Sequence, residues 1–244
     1  MNSRLYWTFA ITSLALFAFT LDRLVVAIAL PAIRTDLGAQ AAGLEWTVNA
    51  YTLSFAVLLL TGGALGDRFG RRRMFTIGVA VFTAGSAAAA LAPTIGALVA
   101  ARAVQGVGGA IFTPLTLTML AAVTPPGRRG TVLGAWGGIG GLGAALGPLA
   151  GGVLTGSVGW RAIFWLNVPL GLVLMPLARV RLAETYGPRR PLDLAGVALG
   201  SAGLSGVVWA VIRAGAAGWT SAETSLALGG GVALLALFVW WEMR

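Results

Sequence analysis

Eight stretches of this chain are apolar enough and long enough to cross a lipid bilayer, and that property decides most of what it can fold into. A helix needs about 20 predominantly apolar residues to span the hydrocarbon. Such runs occupy roughly residues 5–33, 46–66, 74–92, 95–122, 131–156, 160–178, 192–212 and 225–241. In lipid, backbone groups must find partners within the protein, so each run is expected to be an α-helix. Composition agrees: 57% of the 244 residues are apolar and 10% are charged, against about 25% charged in soluble domains. Too little polar surface remains to cover a core in water. Arg4 ahead of the first run gives it the look of a secretory signal. The run continues past Asp22 to Ile33, however, and seven more follow, so it is expected to remain as a membrane helix.

All 17 basic residues are Arg, and the chain has no Lys, His or Cys. This excludes disulfides, thiolate or imidazole metal sites, and nucleophile pairs built on His. Without Lys there is no Walker A phosphate loop, so work would have to draw on an ion gradient and no cofactor is expected. The Arg positions are also informative. With the N-terminus inside, Arg4, Arg68, Arg71, Arg72, Arg73, Arg128, Arg129, Arg179, Arg181, Arg189, Arg190 and Arg244 fall on the cytoplasmic side, 12 of the 17. Arg34, Arg161 and Arg213 fall outside, and Arg23 and Arg102 lie within spans. This is the positive-inside pattern, with Gly70 cytoplasmic and Gly43 external. Spread over separate loops, the charges form no single patch of the kind nucleic acid needs.

Connections are short except between Arg179 and Pro191, where Arg, Pro and Gly concentrate. A boundary is expected there, with six spans before it and two after. A weak repeat relates Gly62–Arg71, closing the second span, to Gly151–Arg161, closing the fifth. The two lie three spans apart on opposite faces, as an inverted 3+3 repeat requires.

Charges inside a span are costly and usually face a bundle interior or an aqueous path. Arg102 sits about 10 Å into the fourth span and Asp22 about 16 Å from the outer end of the first, so the two can pair across the bundle. The pair serves either structure or ion movement. Arg23 is adjacent to Asp22 and so faces a different environment. The turn from Gly63 to Arg73 combines permissive Gly, headgroup-anchoring Arg and a potential helix-capping Asp67.

Gly138-Ile139-Gly140-Gly141-Leu142-Gly143 fits a dinucleotide-binding fingerprint, but no strand precedes it and no acid follows at the required distance. Gly143, Gly147 and Gly151 instead make a smooth face for close helix packing, and Pro148 interrupts the hydrogen-bond ladder.

Taken together, these residues resemble the major facilitator superfamily, and most closely its fourteen-helix drug:proton antiporter branch. Gly63, Leu65, Asp67, Arg68, Gly70, Arg71 and Arg72 are similar to its loop motif between helices 2 and 3. Arg102 through Ala110 with Pro114 is similar to the helix 4 motif, whose Arg the resemblance ties to proton coupling. Gly143, Gly147, Pro148, Gly151 and Gly152 fall in a stretch similar to the helix 5 antiporter motif. Leu21-Asp22 with Ala29-Leu30-Pro31, and Trp160-Arg161 with Phe164, Asn167, Pro169 and Gly171, are similar to stretches of the fourteen-helix branch. Leu24 and Ala27 depart from it, standing where Thr and Asn are common.

The resemblance implies an all-α membrane fold. Residues 1–178 form a six-helix bundle, 179–191 a cytoplasmic linker, and 192–244 two inserted helices, with the second bundle absent. It implies a multi-pass protein of the cytoplasmic membrane that exports small lipophilic or cationic molecules against a proton gradient. Asp22 and Arg102 would couple protons, and Trp46, Asn49, Tyr51 and Gln105 would line the substrate cavity. Trp46 is equally placed to be an interfacial anchor. Asp67 would act on a helix of the second bundle. Membrane lipid, a small-molecule substrate and a second six-helix bundle, from a C-terminal half or another copy, are the expected partners, and nucleic acid is not. The alternative is a truncated or stand-alone membrane module that moves nothing by itself.

Overall fold

The structure, a computed structural model, describes residues 3–188 and 193–243. Within them, nine α-helices make up eight membrane-length spans. They are α1 (Ser3–Leu37), α2 (Ala41–Phe69), α3 (Arg71–Ala90), α4 (Ile95–Val123), α5 (Arg129–Ser157), α6 (Arg161–Trp165), α7 (Asn167–Arg181), α8 (Leu194–Ala217) and α9 (Ala222–Glu242). Arg189, Arg190, Pro191 and Arg244 of the sequence reading lie outside the described residues.

Helix boundaries have local causes. The Thr94 hydroxyl accepts from the Ala97 amide at the start of α4, and Asp193 accepts from the Gly196 amide (2.8 Å) at the start of α8. Each satisfies a donor that a helix N-terminus leaves unpaired. The reversal from α2 to α3 turns on Gly70 at φ 100°, a conformation that side-chain-bearing residues rarely adopt. The sixth span is α6 followed by α7, joined through Leu166, whose backbone stays helical and whose amide donates to the Ala162 carbonyl at 3.0 Å. Pro169 has no N–H to offer the Trp165 carbonyl four residues back, which explains the interruption. Pro148, where the sequence predicts an interrupted hydrogen-bond ladder, lies inside an α5 that continues through it. At its C-terminal end, α7 runs on through Arg179 and Arg181, so the connection starts at Leu182 rather than at 179. Cations in a last turn complement the negative end of the helix dipole.

Small residues set the packing. Between membrane helices no water is expelled, so close backbone approach supplies the attraction. A Cβ on Gly143 would collide with the Phe17 carbonyl and Thr20 of α1, and Gly147 and Gly151 lie against the Leu21 and Val25 carbonyls. This is the expected Gly stripe, with α1 as its partner. Gly152 points into open space on the other side. On α2, Gly62 abuts the Ala110 carbonyl of α4, the same kind of contact that Gly151 makes with α1. The two sequence stretches that resemble each other therefore do the same job three spans apart. The α2–α4 and α5–α1 pairings exchange under that shift, as an inverted repeat demands.

A Phe cluster (Phe19, Phe75, Phe82 and Phe112) fills one half of the bundle, with Phe75 and Phe82 edge-on to Phe112. Outside the bundle, α8 and α9 pack as a hairpin through Gly206 and Gly231, and α8 leans on α2. There the Ser201 hydroxyl donates to the Val57 carbonyl at 3.2 Å, and Trp209 stacks on Trp46 with ring centroids 5.2 Å apart.

Candidate functional site

Five elements converge on one buried carboxylate. Asp22 of α1 is 0% exposed and Arg102 of α4 is 1% exposed. Arg102 Nη1 donates to Asp22 Oδ2 at 2.7 Å and to Gln105 Oε1 at 2.8 Å. Gln105, one turn along α4, donates through Nε2 to Asp22 Oδ1 (3.2 Å) and to the Ser86 hydroxyl of α3 (2.6 Å). From α7, Asn167 Nδ2 donates to Asp22 Oδ1 at 2.6 Å. The guanidinium also donates through Nε to the Thr47 carbonyl of α2 (3.3 Å) and lies 4.1 Å from the Tyr51 ring centroid.

The arrangement answers the cost of burying charge. A lone ion in this interior would lose its hydration uncompensated, whereas here both Asp22 oxygens accept and the cation is shared among carboxylate, amide, carbonyl and aromatic face. Each donor is in turn placed by its helix: Arg102 and Gln105, three residues apart, share one face of α4. The pairing of Asp22 with Arg102 expected from the sequence is therefore present. Arg23 is exposed, and among the described residues it makes no hydrogen bond or ion pair.

The expected cavity residues separate into three environments. Tyr51 (1% exposed) and Gln105 (0%) belong to the buried network rather than to an open wall. Trp46 packs on the added hairpin through Trp209. Asn49 is half-buried on α2 and makes no hydrogen bond among the described residues. Sequence reading did not assign Asn167 or Ser86 a place at Asp22, although Asn167 stood in a stretch that it had singled out.

The turn between α2 and α3 forms a second cluster. Arg71 donates through Nε to Asp67 Oδ1 at 2.8 Å, and its Nη2 lies 2.7 Å from the same oxygen. An extended strap after α7 crosses this turn. Glu184 accepts from the Arg72 amide (2.8 Å), the Thr185 carbonyl accepts from the Arg71 amide (2.9 Å), and the Gly187 amide donates to the Asp67 carbonyl (3.0 Å). Arg68 lies over the Phe69 ring, and Gly63 faces Pro114 of α4 at the distance of an ordinary side-chain contact. Asp67 and Arg68 also border a cavity of about 1040 Å³ between α2 and the α8–α9 hairpin. That cavity does not reach Asp22, so its size marks the hairpin seam rather than the buried charge site.

Two half-bundles related by exchange of three spans, wrapped around an enclosed carboxylate–guanidinium pair, define a polytopic helical bundle of membrane type. The chain belongs to the Major Facilitator Superfamily, whose family model matches residues 12–241. It is 39% identical over 246 residues to the Tetracenomycin C resistance and export protein of Streptomyces glaucescens, covering 100% of this chain and 46% of that protein. It is 43% identical over 235 residues to the Cephamycin export protein CmcT of Amycolatopsis lactamdurans, covering 93% and 48%. The Puromycin resistance protein pur8 of Streptomyces alboniger is 38% identical over 245 residues, covering 100% and 48%. The chain thus spans about half the length of these curated relatives. Among solved structures, the POT family transporter PepTSo superposes with a TM-score of 0.70 at 15% identity, covering 98% of this chain and 52% of that one. The human organic anion transporter MFSD10 gives 0.59 at 18% identity, covering 84% and 54%. At those identities the likeness concerns the fold.

Proposed function

We propose that this chain is the N-terminal bundle, with an inserted helix pair, of a proton-coupled exporter of small lipophilic or cationic molecules. One observation carries the reading: Asp22, an acid set deep in the membrane, is enclosed and tied by hydrogen bonds to α4 and α7, and through Gln105 to Ser86 of α3. An ionised Asp22 holds these helices together. When it takes up a proton, the Arg102 charge loses its counter-ion and falls back on Gln105, the Thr47 carbonyl and the Tyr51 ring. The attraction across the bundle weakens, so proton uptake and release can bias one helix arrangement over another. The printed names of three relatives, each tied to antibiotic export or resistance, support export as the direction.

In this reading residues 1–178 form the bundle, and the helix pair in 192–244 braces α2. Substrate passes between the open face of α1, α2, α4 and α5 and a second six-helix bundle, with Asn49 as a candidate contact. Asp67, Arg68, Arg71 and Arg72 gate the cytoplasmic side. The contact of Gly143, Gly147 and Gly151 with α1 holds the antiporter helix beside Asp22. Vesicles carrying the chain, with and without a co-expressed second bundle, and loaded with a fluorescent amphiphilic amine provide the test. Gradient-driven efflux that requires the protein is expected. Efflux no faster than in empty vesicles, in both preparations, would overturn the proposal and leave a membrane module without transport.

The N-terminus is proposed to face the cytoplasm across the cytoplasmic membrane. Gly127, exposed with open space around it, then lies inside, and the exposed Gln40 lies outside. Single Cys at these two positions, in a chain with no Cys of its own, should react with impermeant thiol reagents from opposite sides. Reaction from the same side would contradict the orientation.

A further inference from the structure

Asn167 presents a buried imbalance. Its Nδ2 donates to Asp22 Oδ1 at 2.6 Å, while its Oδ1 is enclosed and has no hydrogen-bond partner among the described residues. A buried carbonyl oxygen left without a donor is unfavourable, and native structures rarely keep one without a reason. The side chain is 2% exposed and adjoins a void of about 10 Å³ bordered by Phe82, Thr83 and Leu174. The Thr83 hydroxyl is committed to the Val79 carbonyl at 2.7 Å, so it does not supply the missing donor. Asn167 is also the first residue of α7, at the interruption of the span where Pro169 has no N–H to give the Trp165 carbonyl.

We propose that Asn167 senses the protonation state of Asp22 and passes it to the sixth span. The inference rests on the proton-coupling reading above. With Asp22 ionised, the Asn167 amide donates to Oδ1, as observed. When a proton from the aqueous side joins the carboxylate, Oδ1 gains an O–H and no longer wants that donor. The amide then turns about its last torsion and offers its unused Oδ1 to the new hydroxyl, with the adjoining void giving it room. No bond other than the O–H forms or breaks. The charged and titratable groups facing Asp22 are Arg102 from α4 and the Tyr51 phenol from α2, with Arg23 turned outward on α1 itself. Ser86 and Gln105 are neutral and already committed to each other. The Tyr51 hydroxyl is also without a partner among the described residues but makes no hydrogen bond to Asp22. Asn167 is therefore the neutral group that both touches Asp22 and keeps a free acceptor, and it sits at the interruption of its span. It is a positioning residue that acts through Asp22.

The test uses the whole chain in nanodiscs, with bimane attached through Trp165→Cys, an exposed position just before the interruption. Infrared difference spectra across pH identify the Asp22 acid as the carbonyl band absent from Asp22→Asn. In the otherwise native chain, bimane emission is expected to shift with pH at the same midpoint as that band. In Asn167→Leu the band is expected to persist while the emission shift is lost. Asn167→Ala reads the same way should the Leu variant fail to fold. An emission shift that persists in the amide-less variants, with the band present, overturns this inference alone. A native chain with no Asp22 acid band at any pH removes the proton-coupling reading on which the inference rests.

Discussion

Replacing Arg102 with Met while Asp22 remains is expected to cost about 3–5 kcal/mol of bundle stability, the range for breaking one side of a buried ion pair. The carboxylate would keep two amide donors, Gln105 and Asn167, but lose the cation that lies 2.7 Å from it in a site with no exposure. The double variant Asp22→Leu/Arg102→Met removes both ions and refills the volume with apolar groups. It should recover most of the loss, because desolvating two charges offsets much of their mutual attraction. The nine Trp residues give an intrinsic signal for denaturant unfolding in detergent. Costs that simply add in the double variant would show that the two groups do not act as a pair.

The second large effect falls on transport. Asp22→Asn keeps the shape of the side chain and can meet Arg102 with its amide oxygen, but it leaves the buried Arg102 charge without its counter-ion. Part of the cost of breaking the pair is therefore expected in stability, and efflux is compared at equal amounts of folded, inserted protein. What disappears is the capacity to exchange a proton inside the membrane. Gradient-driven efflux of an amphiphilic amine should be abolished in vesicles that contain the variant at native levels. Retained export would leave Asp22 with a purely structural task.

Part of this was legible in the sequence, for reasons that differ residue by residue. The spans were legible because lipid admits few alternatives to an apolar helix, and the Asp22–Arg102 pair because a charge at depth must find a partner. The Gly143–Gly147–Gly151 stripe could be read from its four-residue spacing, though not its partner α1. Gln105 lies three residues from Arg102 and so shares its face, which could have placed it in the network rather than on a cavity wall. Asn167 escaped because a neutral amide in a span carries no comparable penalty to betray it. The break ahead of it follows from Pro169, whereas Pro148 drew the attention. The strap at Glu184–Gly187 escaped because extended polypeptide is held by tertiary hydrogen bonds and leaves no periodic trace.

The central claim is that export is driven by protons passing through Asp22. The most direct measurement follows internal pH and an enclosed fluorescent amine together in vesicles holding the chain and a second bundle, as an imposed pH gradient is collapsed by a protonophore. The account predicts that proton influx accompanies amine efflux, that both stop when the gradient is collapsed, and that Asp22→Asn shows neither. Amine efflux that continues unchanged with the gradient gone, or runs at the native rate in Asp22→Asn, would contradict it.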